Sequence, residues 1–349
     1  EEHLVRNEMI KIFLEKPVFL RLISVLVRQW VDTNNEFISR FLEDYDAIKK
    51  RFFPSFKNKF PKLNSISGQI SDPHNSGHSV QILEFNGHLK LVYKPKDCRL
   101  DDAFSKLVKK LNNFSPPTNL RLPKIFDREI YTWTEFIDHA ASTNLKQVED
   151  YYYRAGAWLS LFHNFAGTDM HFENIIAHSD HPVPIDIEMI LQGSFAEFFS
   201  KDPSKKAINM ATTKSINSVM SVGFLPSYVR SPEDGMIRDF GGLSHRKDPV
   251  KKIVWHNLAT DRLRHSVKKF PAPLSTNLPY IKNKTKNLDD FAAIFLKGYK
   301  EYSKFLLATY KKKNLIFFLE DFKNLYARKV FRPTRFYATL IKRLKNNSL

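Results

Sequence analysis

One cysteine, Cys98, stands in 349 residues. A single thiol excludes a disulfide framework within the chain and any zinc site built from several cysteines. A reducing compartment, the cytoplasm, is the expected setting. Long hydrophobic runs are also missing: no apolar stretch reaches the ~20 residues that span a bilayer, and no signal peptide is visible. The chain opens Glu-Glu-His rather than Met, so an upstream portion is expected to be absent. Glycine is scarce, at 11 residues, and no Gly-rich phosphate loop of the Walker or protein-kinase type occurs. The most telling lack is local. From Ala155 to Ser200 there is no Lys or Arg, in a chain that holds 55 of them.

That cation-free run carries six acids: Asp169, Glu173, Asp180, Asp186, Glu188 and Glu197. A basic protein that strips cations from one segment and gathers carboxylates there makes room for a bound metal cation. Within it, Asp169-Met170-His171-Phe172-Glu173-Asn174 is followed by a short expected strand and then Asp186-Ile187-Glu188. One Asp addressing an acceptor hydroxyl, with Asn and a second Asp holding Mg²⁺, is the logic of phosphoryl transfer. Asp169 is placed to take or orient the hydroxyl proton, and His171 shares its loop. Asn174 and Asp186 offer the oxygen ligands a hard cation wants. Glu188 becomes a second candidate ligand if residues 183–188 form a strand, because alternate residues then share a face. Surface acids with Asn174 capping a turn are the plainer alternative.

Elsewhere charge runs the other way. The net charge is +18, and residues 301–349 hold twelve Lys or Arg against three acids. Such a surface attracts anions, whether nucleotide phosphates, an acidic peptide, acidic lipid or nucleic acid; a solvated amphipathic helix would look the same. Hydrophobic content of 42% with 30 Phe supplies a core and excludes global disorder.

Hydrophobic spacing divides the chain. Residues 4–52 show apolar positions at threes and fours and predict helix, with a Pro- and Lys-rich connector at 53–64. Residues 80–85 and 88–93 alternate around Asn86-Gly87, a strong hairpin signal. Two more strands are expected near 122–126 and 129–136, a helix over 147–163, and short strands at 175–177 and 183–187. Residues 189–290 resist reading and are treated as an insertion. The chain turns helical again from Leu288, with a break near Arg332-Pro333. The expected organisation is a helical segment (1–64), a sheet-bearing N-lobe (65–141) and a larger C-lobe (142–349). This is an α+β, two-lobed kinase outline.

Lys94, in Val92-Tyr93-Lys94-Pro95-Lys96, emerges from the second hairpin strand about twenty residues after the polar turn Ser71–His78. A kinase places its phosphate-pairing cation there; an ordinary strand-end lysine is the alternative. Asp239-Phe240-Gly241 spells the protein-kinase metal triplet but lies far beyond Asn174, and is read as coincidence or part of a mobile loop. His178 and His181 are read as turn residues rather than zinc ligands.

These residues together resemble the dehydratase domain of class II (LanM-type) lanthipeptide synthetases. The matching elements are Asp72-Pro73-His74-Asn75-x-Gly77, the strand ending in Lys94, Gly167–Asn174, Asp186-Ile187-Glu188 and Arg328-x-x-x-Arg332-x-Thr334. The resemblance spans roughly residues 65–340. It implies a lipid-kinase-like fold and a two-step reaction on a ribosomally made precursor peptide with a leader and a Ser/Thr-rich core. A Ser or Thr is phosphorylated from ATP with Mg²⁺, and phosphate is then eliminated to leave dehydroalanine or dehydrobutyrine. It assigns Lys94 to phosphate, Asp169 and His171 to transfer, and Asn174 and Asp186 to metal. Asp72, His74, Arg328 and Thr334 fall to elimination, where a base must take the Cα proton and an Arg fork suits departing phosphate. The family's cyclase carries a Cys-Cys-His zinc site that one cysteine cannot supply, so ring closure would need a separate cyclase. A kinase that stops at phosphorylation, or a non-catalytic basic module binding an acidic peptide, are the competing readings. No RNA-binding signature argues for nucleic acid.

Overall fold

The computed structural model describes residues 2–56, 61–68, 75–192, 202–230, 237–245, 249–258, 260–272, 275–328, 336–337 and 339–340. The protein is of the mixed α and β class, and its packing divides into two units, Glu1–Cys98 with Lys124–Phe136 and Arg99–Pro123 with Ile137–Leu349.

In the first unit, helices α1 (Glu2–Glu15) and α2 (Pro17–Phe52) precede a sheet of β1 (Leu63–Ser67), β2 (Gln81–Phe85), β3 (Leu89–Lys94), β4 (Ile125–Asp127) and β5 (Thr132–Glu135). The sheet order is β1-β2-β3-β5-β4 and every pairing is antiparallel. α2 starts on Pro17, whose fixed φ suits the first helical turn. It ends with Lys49, Lys50 and Arg51 against its negative pole. Alternation puts Leu83, Phe85, Leu91 and Tyr93 on one sheet face, where they bury against Phe37 and Ile48 of α2 and against Trp133. Asp44 of α2 is 2% exposed. It accepts from Trp133 Nε1 at 2.8 Å and pairs with Arg128 Nε at 3.1 Å. Losing either partner leaves a buried carboxylate short of a hydrogen bond, at a cost on the order of 1–3 kcal/mol.

The hairpin forms where expected, but with a different turn. Phe85 pairs with Leu89, so the connection is the three residues Asn86-Gly87-His88. Gly87 and His88 both have positive φ (76° and 60°). The two further strands are shorter than their sequence signals, because only 125–127 and 132–135 find partners.

The second unit is built on α3 (Arg99–Asn112), α4 (Leu145–Asn164) and α6 (Ala292–Leu319). α3 buries Leu100, Ala103, Phe104, Leu107, Val108 and Leu111 with the α4 residues Val148, Trp158 and Phe162. Residues 99–123, which fall inside the expected N-lobe at 65–141, group with the unit that also holds the acidic segment. Asn144 caps α4 by accepting from Gln147 N at 3.0 Å, and Gln147 Oε1 accepts in return from Thr143 N at 2.7 Å. α4 and α6 cross at two glycines. A Cβ on Gly156 would lie 2.0 Å from Phe295 O, and one on Gly298 would lie 2.0 Å from Tyr153 O.

The stretch treated as an insertion holds α5 (Lys206–Ile216) and three hairpins: β8 with β9 (Tyr228–Arg230, Ile237–Asp239), β10 with β11 (Val250–His256, Arg264–Phe270), and β12 with β13 (Tyr280–Ile281, Lys284–Thr285). Part of it is no outlying insertion, because residues 219–225 and 239–244 pack on the Asp169 loop, as described below. The expected break at Arg332-Pro333 lies outside the described residues.

Candidate functional site

α4 ends at Asn164, and the chain turns through a loop into a short 3₁₀ turn, Phe172–Asn174. It then enters the hairpin β6 (Ile175–His178) and β7 (His181–Pro184). The loop is fastened from behind. Met170 N donates to Val222 O at 2.9 Å, and His171 forms a β-bridge with Gly241. Glycine is required at the second clamp: a Cβ on Gly242 would lie 2.4 Å from Met170 O, and one on Gly241 would lie 2.1 Å from Leu225 O. Asp239-Phe240-Gly241 takes part in this bracing. Asp239 Oδ1 accepts from Ser227 N at 2.7 Å and Gly241 N at 3.0 Å, and the Phe240 ring packs 6.0 Å from Phe172. The triplet braces the wall of the loop, with its carboxylate spent on backbone amides.

Thus held, Asp169 takes a positive φ of 66°. Aspartate, like asparagine, enters that left-handed region more readily than most residues, and the clamped loop holds it there. Asn174 Nδ2 donates to Asp169 O at 2.8 Å and Asn174 N donates to His171 O at 3.0 Å. Because the amide nitrogen is committed to the loop itself, the amide oxygen is the atom left to face a ligand. His171 Nδ1 accepts from Glu173 N at 3.2 Å, and Nε2 lies 3.8 Å from Asp169 Oδ1 and 3.4 Å from Asn174 Nδ2. The first contact leaves Nε2 as the ring nitrogen turned toward the carboxylate, at a distance too long for a direct hydrogen bond.

Partial desolvation within the loop raises the pKa of the Asp169 carboxyl from its ordinary value, although the side chain keeps 56% of its surface exposed. His171 pulls it back, Asp186 and Glu188 push with the burial, and Arg328 pulls back weakly. Asp186, Glu188 and Arg328, from other segments of the second unit, are thus near enough to act electrostatically on Asp169, beside His171 and Asn174 of its own loop.

The expected strand at 183–187 ends at Pro184, so Asp186 and Glu188 lie beyond the ladder. They share a face all the same, because alternate residues are tethered inward. Ile185 N donates to Asn174 O (2.9 Å), Ile187 N to Asp101 Oδ1 (3.1 Å), Thr168 N to Met189 O (2.8 Å) and Leu191 N to Phe165 O (2.8 Å). Ile187 is 2% exposed, which leaves Asp186 and Glu188 directed away from the core. Glu188 accepts from Arg328 Nη1, and Arg328 O accepts from Gln192 Nε2 at 3.0 Å. Asp101 was not legible as a site residue; its only signal was acidity in the first turn of a helix.

Lys94 closes β3 in the first unit, 8% exposed and opposite Thr132. Asp72, His74 and Thr334 lie outside the described residues. His178 Nδ1 donates to Asp138 O (2.8 Å), and His181 sits beside Asp180, itself paired with Arg154 at 2.9 Å. Among the described residues no three His, Cys, Asp or Glu side chains converge to hold a metal ion, and no helix is long and apolar enough to cross a membrane.

A relative from Lactococcus lactis subsp. lactis, the lacticin 481/lactococcin biosynthesis protein LcnDR2, is 23% identical over 337 residues. That alignment covers 92% of this chain but 35% of the relative, so the chain spans about a third of that protein's length. Residues 17–349 match the model of a domain of unknown function, DUF4135. This bears out the resemblance drawn from the motifs: the chain belongs to the DUF4135 family, a domain found in LanM-type lanthipeptide synthetases.

Proposed function

We propose that this chain is a lanthipeptide dehydratase with a lipid-kinase-like two-lobed fold, acting on a ribosomally made precursor peptide in the cytoplasm. The observation that carries the reading is that Asp169, His171 and Asn174 share one glycine-clamped loop, with Asp186, Glu188 and Arg328 acting electrostatically on its Asp169 carboxylate. The relative's role in lacticin 481 and lactococcin biosynthesis agrees with it.

In the first step the Ser or Thr oxygen attacks the γ-phosphorus of ATP. The new O–P bond forms as the bridging O–P bond to ADP breaks, and the hydroxyl proton passes to Asp169 or, through its neighbour, to His171. The oxygens of Asn174 and Asp186 fit Mg²⁺, which takes one or two protein oxygens and completes its shell with phosphates and water. Bound there, Mg²⁺ would neutralise charge on the transferring phosphoryl group. Lys94 is assigned to the nucleotide phosphates as a point charge.

In the second step a base removes the Cα proton, the Cα–Cβ double bond forms, and the Cβ–O bond breaks to release phosphate. Asp72 and His74 are the groups assigned to the proton. Arg328 and Thr334 are assigned to the phosphate, which an Arg fork binds well. Glu188, which already holds Arg328, serves this step better as the anchor of that guanidinium than as a metal ligand. Ring closure is left to a separate cyclase.

Incubating the protein with ATP, Mg²⁺ and candidate precursor peptides tests the proposal. Mass spectra should show a phosphoryl gain that converts to loss of one water per modified residue. Peptides unchanged in mass, with precursors from neighbouring genes included, would refute it.

A further inference from the structure

The segment carrying Asp186 and Glu188 behaves like a strand without a neighbour. Its odd residues are tied inward one by one, and three of the four ties run between backbone atoms: Ile185 to Asn174, Met189 to Thr168 and Leu191 to Phe165. At Ile187, between the two candidate site acids, the acceptor is a side chain. Asp101 Oδ1 takes the Ile187 N–H at 3.1 Å. Asp101 is 4% exposed and sits in the first turn of α3, a helix locked into the core by six buried apolar side chains. A buried amide must find an acceptor, and a buried carboxylate is costly unless it is hydrogen-bonded. An acidic side chain buried here stands where a neighbouring strand's carbonyl would, and it ties residues 186–188 to α3.

We infer that Asp101 is a positioning residue: by accepting the Ile187 amide it fixes the backbone from which Asp186 and Glu188 project, and so sets the geometry of the nucleotide–metal site. The inference rests on the phosphotransfer reading above for its functional consequence, but not for the hydrogen bond itself. α3 then acts as the rigid post to which the acidic segment is tied. A rotation of the Ile187 peptide would swing both acids away from Asn174 and Asp169, because successive side chains point to opposite faces.

Two variants separate the roles of shape and charge. Asp101→Ala removes the acceptor, whereas Asp101→Asn keeps an acceptor oxygen at the same place. Amide hydrogen exchange at Ile187 and ATP affinity across a Mg²⁺ titration are read on the full chain, each variant first checked for a folded thermal transition. In Asp101→Ala, exchange at Ile187 should quicken at least tenfold, and the Mg²⁺ concentration that half-saturates ATP binding should rise at least tenfold. Asp101→Asn should restore both to within about threefold of the parent. If Asp101→Ala fails to fold, Asp101→Asn decides alone: near-parent exchange and Mg²⁺ dependence support the inference, and loss of either overturns it. Unchanged Mg²⁺ dependence in a folded Asp101→Ala overturns it, as does equal loss in both variants with Ile187 still protected. Should the parent protein bind no ATP with Mg²⁺, the functional reading fails, while faster Ile187 exchange in Asp101→Ala would still establish the tie.

Discussion

Replacing Gly298 by alanine should destabilise the protein, although alanine is the better helix former. The new methyl would sit 2.0 Å from Tyr153 O, and no ordinary carbon–oxygen contact is that short. The obstacle is backbone on the facing helix, so no side chain can swing aside, and α4 and α6 must part by about 1 Å or more. Overpacking of a tight interface costs about 3 kcal/mol at the upper end, offset by roughly 1 kcal/mol of gained helix propensity. The net loss is about 2 kcal/mol, or a melting temperature lower by about 3 °C for a protein of this size. Gly156→Ala meets Phe295 O across the same crossing at 2.0 Å. One separation of the helices relieves both clashes, so the double variant should lose less than the sum of the singles. Gly68→Ala is the control, since nothing lies within 4 Å of its Cβ position. Calorimetry or urea unfolding reads all four proteins. A Gly298→Ala protein more stable than the parent by about 1 kcal/mol, as propensity alone dictates, would refute the close crossing. α4 runs directly into the Asp169 loop, so the destabilised variants should also lose activity.

Asp169→Ala should abolish both phosphorylation and dehydration in mass spectra of a cognate peptide, and unimpaired water loss would contradict its role. Arg328→Ala and Glu188→Gln should both let phosphopeptide accumulate, because one removes the phosphate-binding fork and the other its anchor; a Glu188→Gln protein that cannot phosphorylate at all would return Glu188 to the metal. Asp186→Asn should raise the Mg²⁺ needed for ATP binding about tenfold or more, measured by titration calorimetry. Burial and the Arg154 charge hold His181 down to about 4. A depressed histidine stays neutral in the folded state while the unfolded chain takes up a proton, so stability should fall as pH drops from about 6.5 toward 4, by up to on the order of 3 kcal/mol. His181→Gln should flatten that slope in urea unfolding at pH 7 and pH 5; an unaltered slope would show that other groups set it.

The Asp169–Asn174 loop, the Asp186 segment, the Lys94 strand and the hairpin before it were legible because each is a short-range pattern: a fixed spacing, a period of two, an Asn-Gly turn. What the sequence hid is non-local. Asp101 reads as one more acid opening a helix until the fold brings it to Ile187, 86 residues on. Gly241 and Gly242 signal a loop, but not that the loop presses on Met170 and His171. The Asp239 triplet misleads for the same reason, since its spacing from Asn174 says nothing of its place against the Asp169 loop. Strand extents also escaped: β7 ends at Pro184, although Ile185 N still donates to Asn174 O and the next tie, from Ile187 N, goes to a side chain.

The central claim is that one loop transfers phosphate before anything is eliminated. The most direct measurement uses ATP labelled at the γ-phosphorus, Mg²⁺ and a precursor peptide, with the parent, Asp169→Ala and Arg328→Ala proteins followed over time. Label should appear transiently on the peptide with the parent, persist with Arg328→Ala, and never appear with Asp169→Ala. Dehydrated peptide from the Asp169→Ala protein, or dehydration in which no peptide ever carries label, would contradict the account.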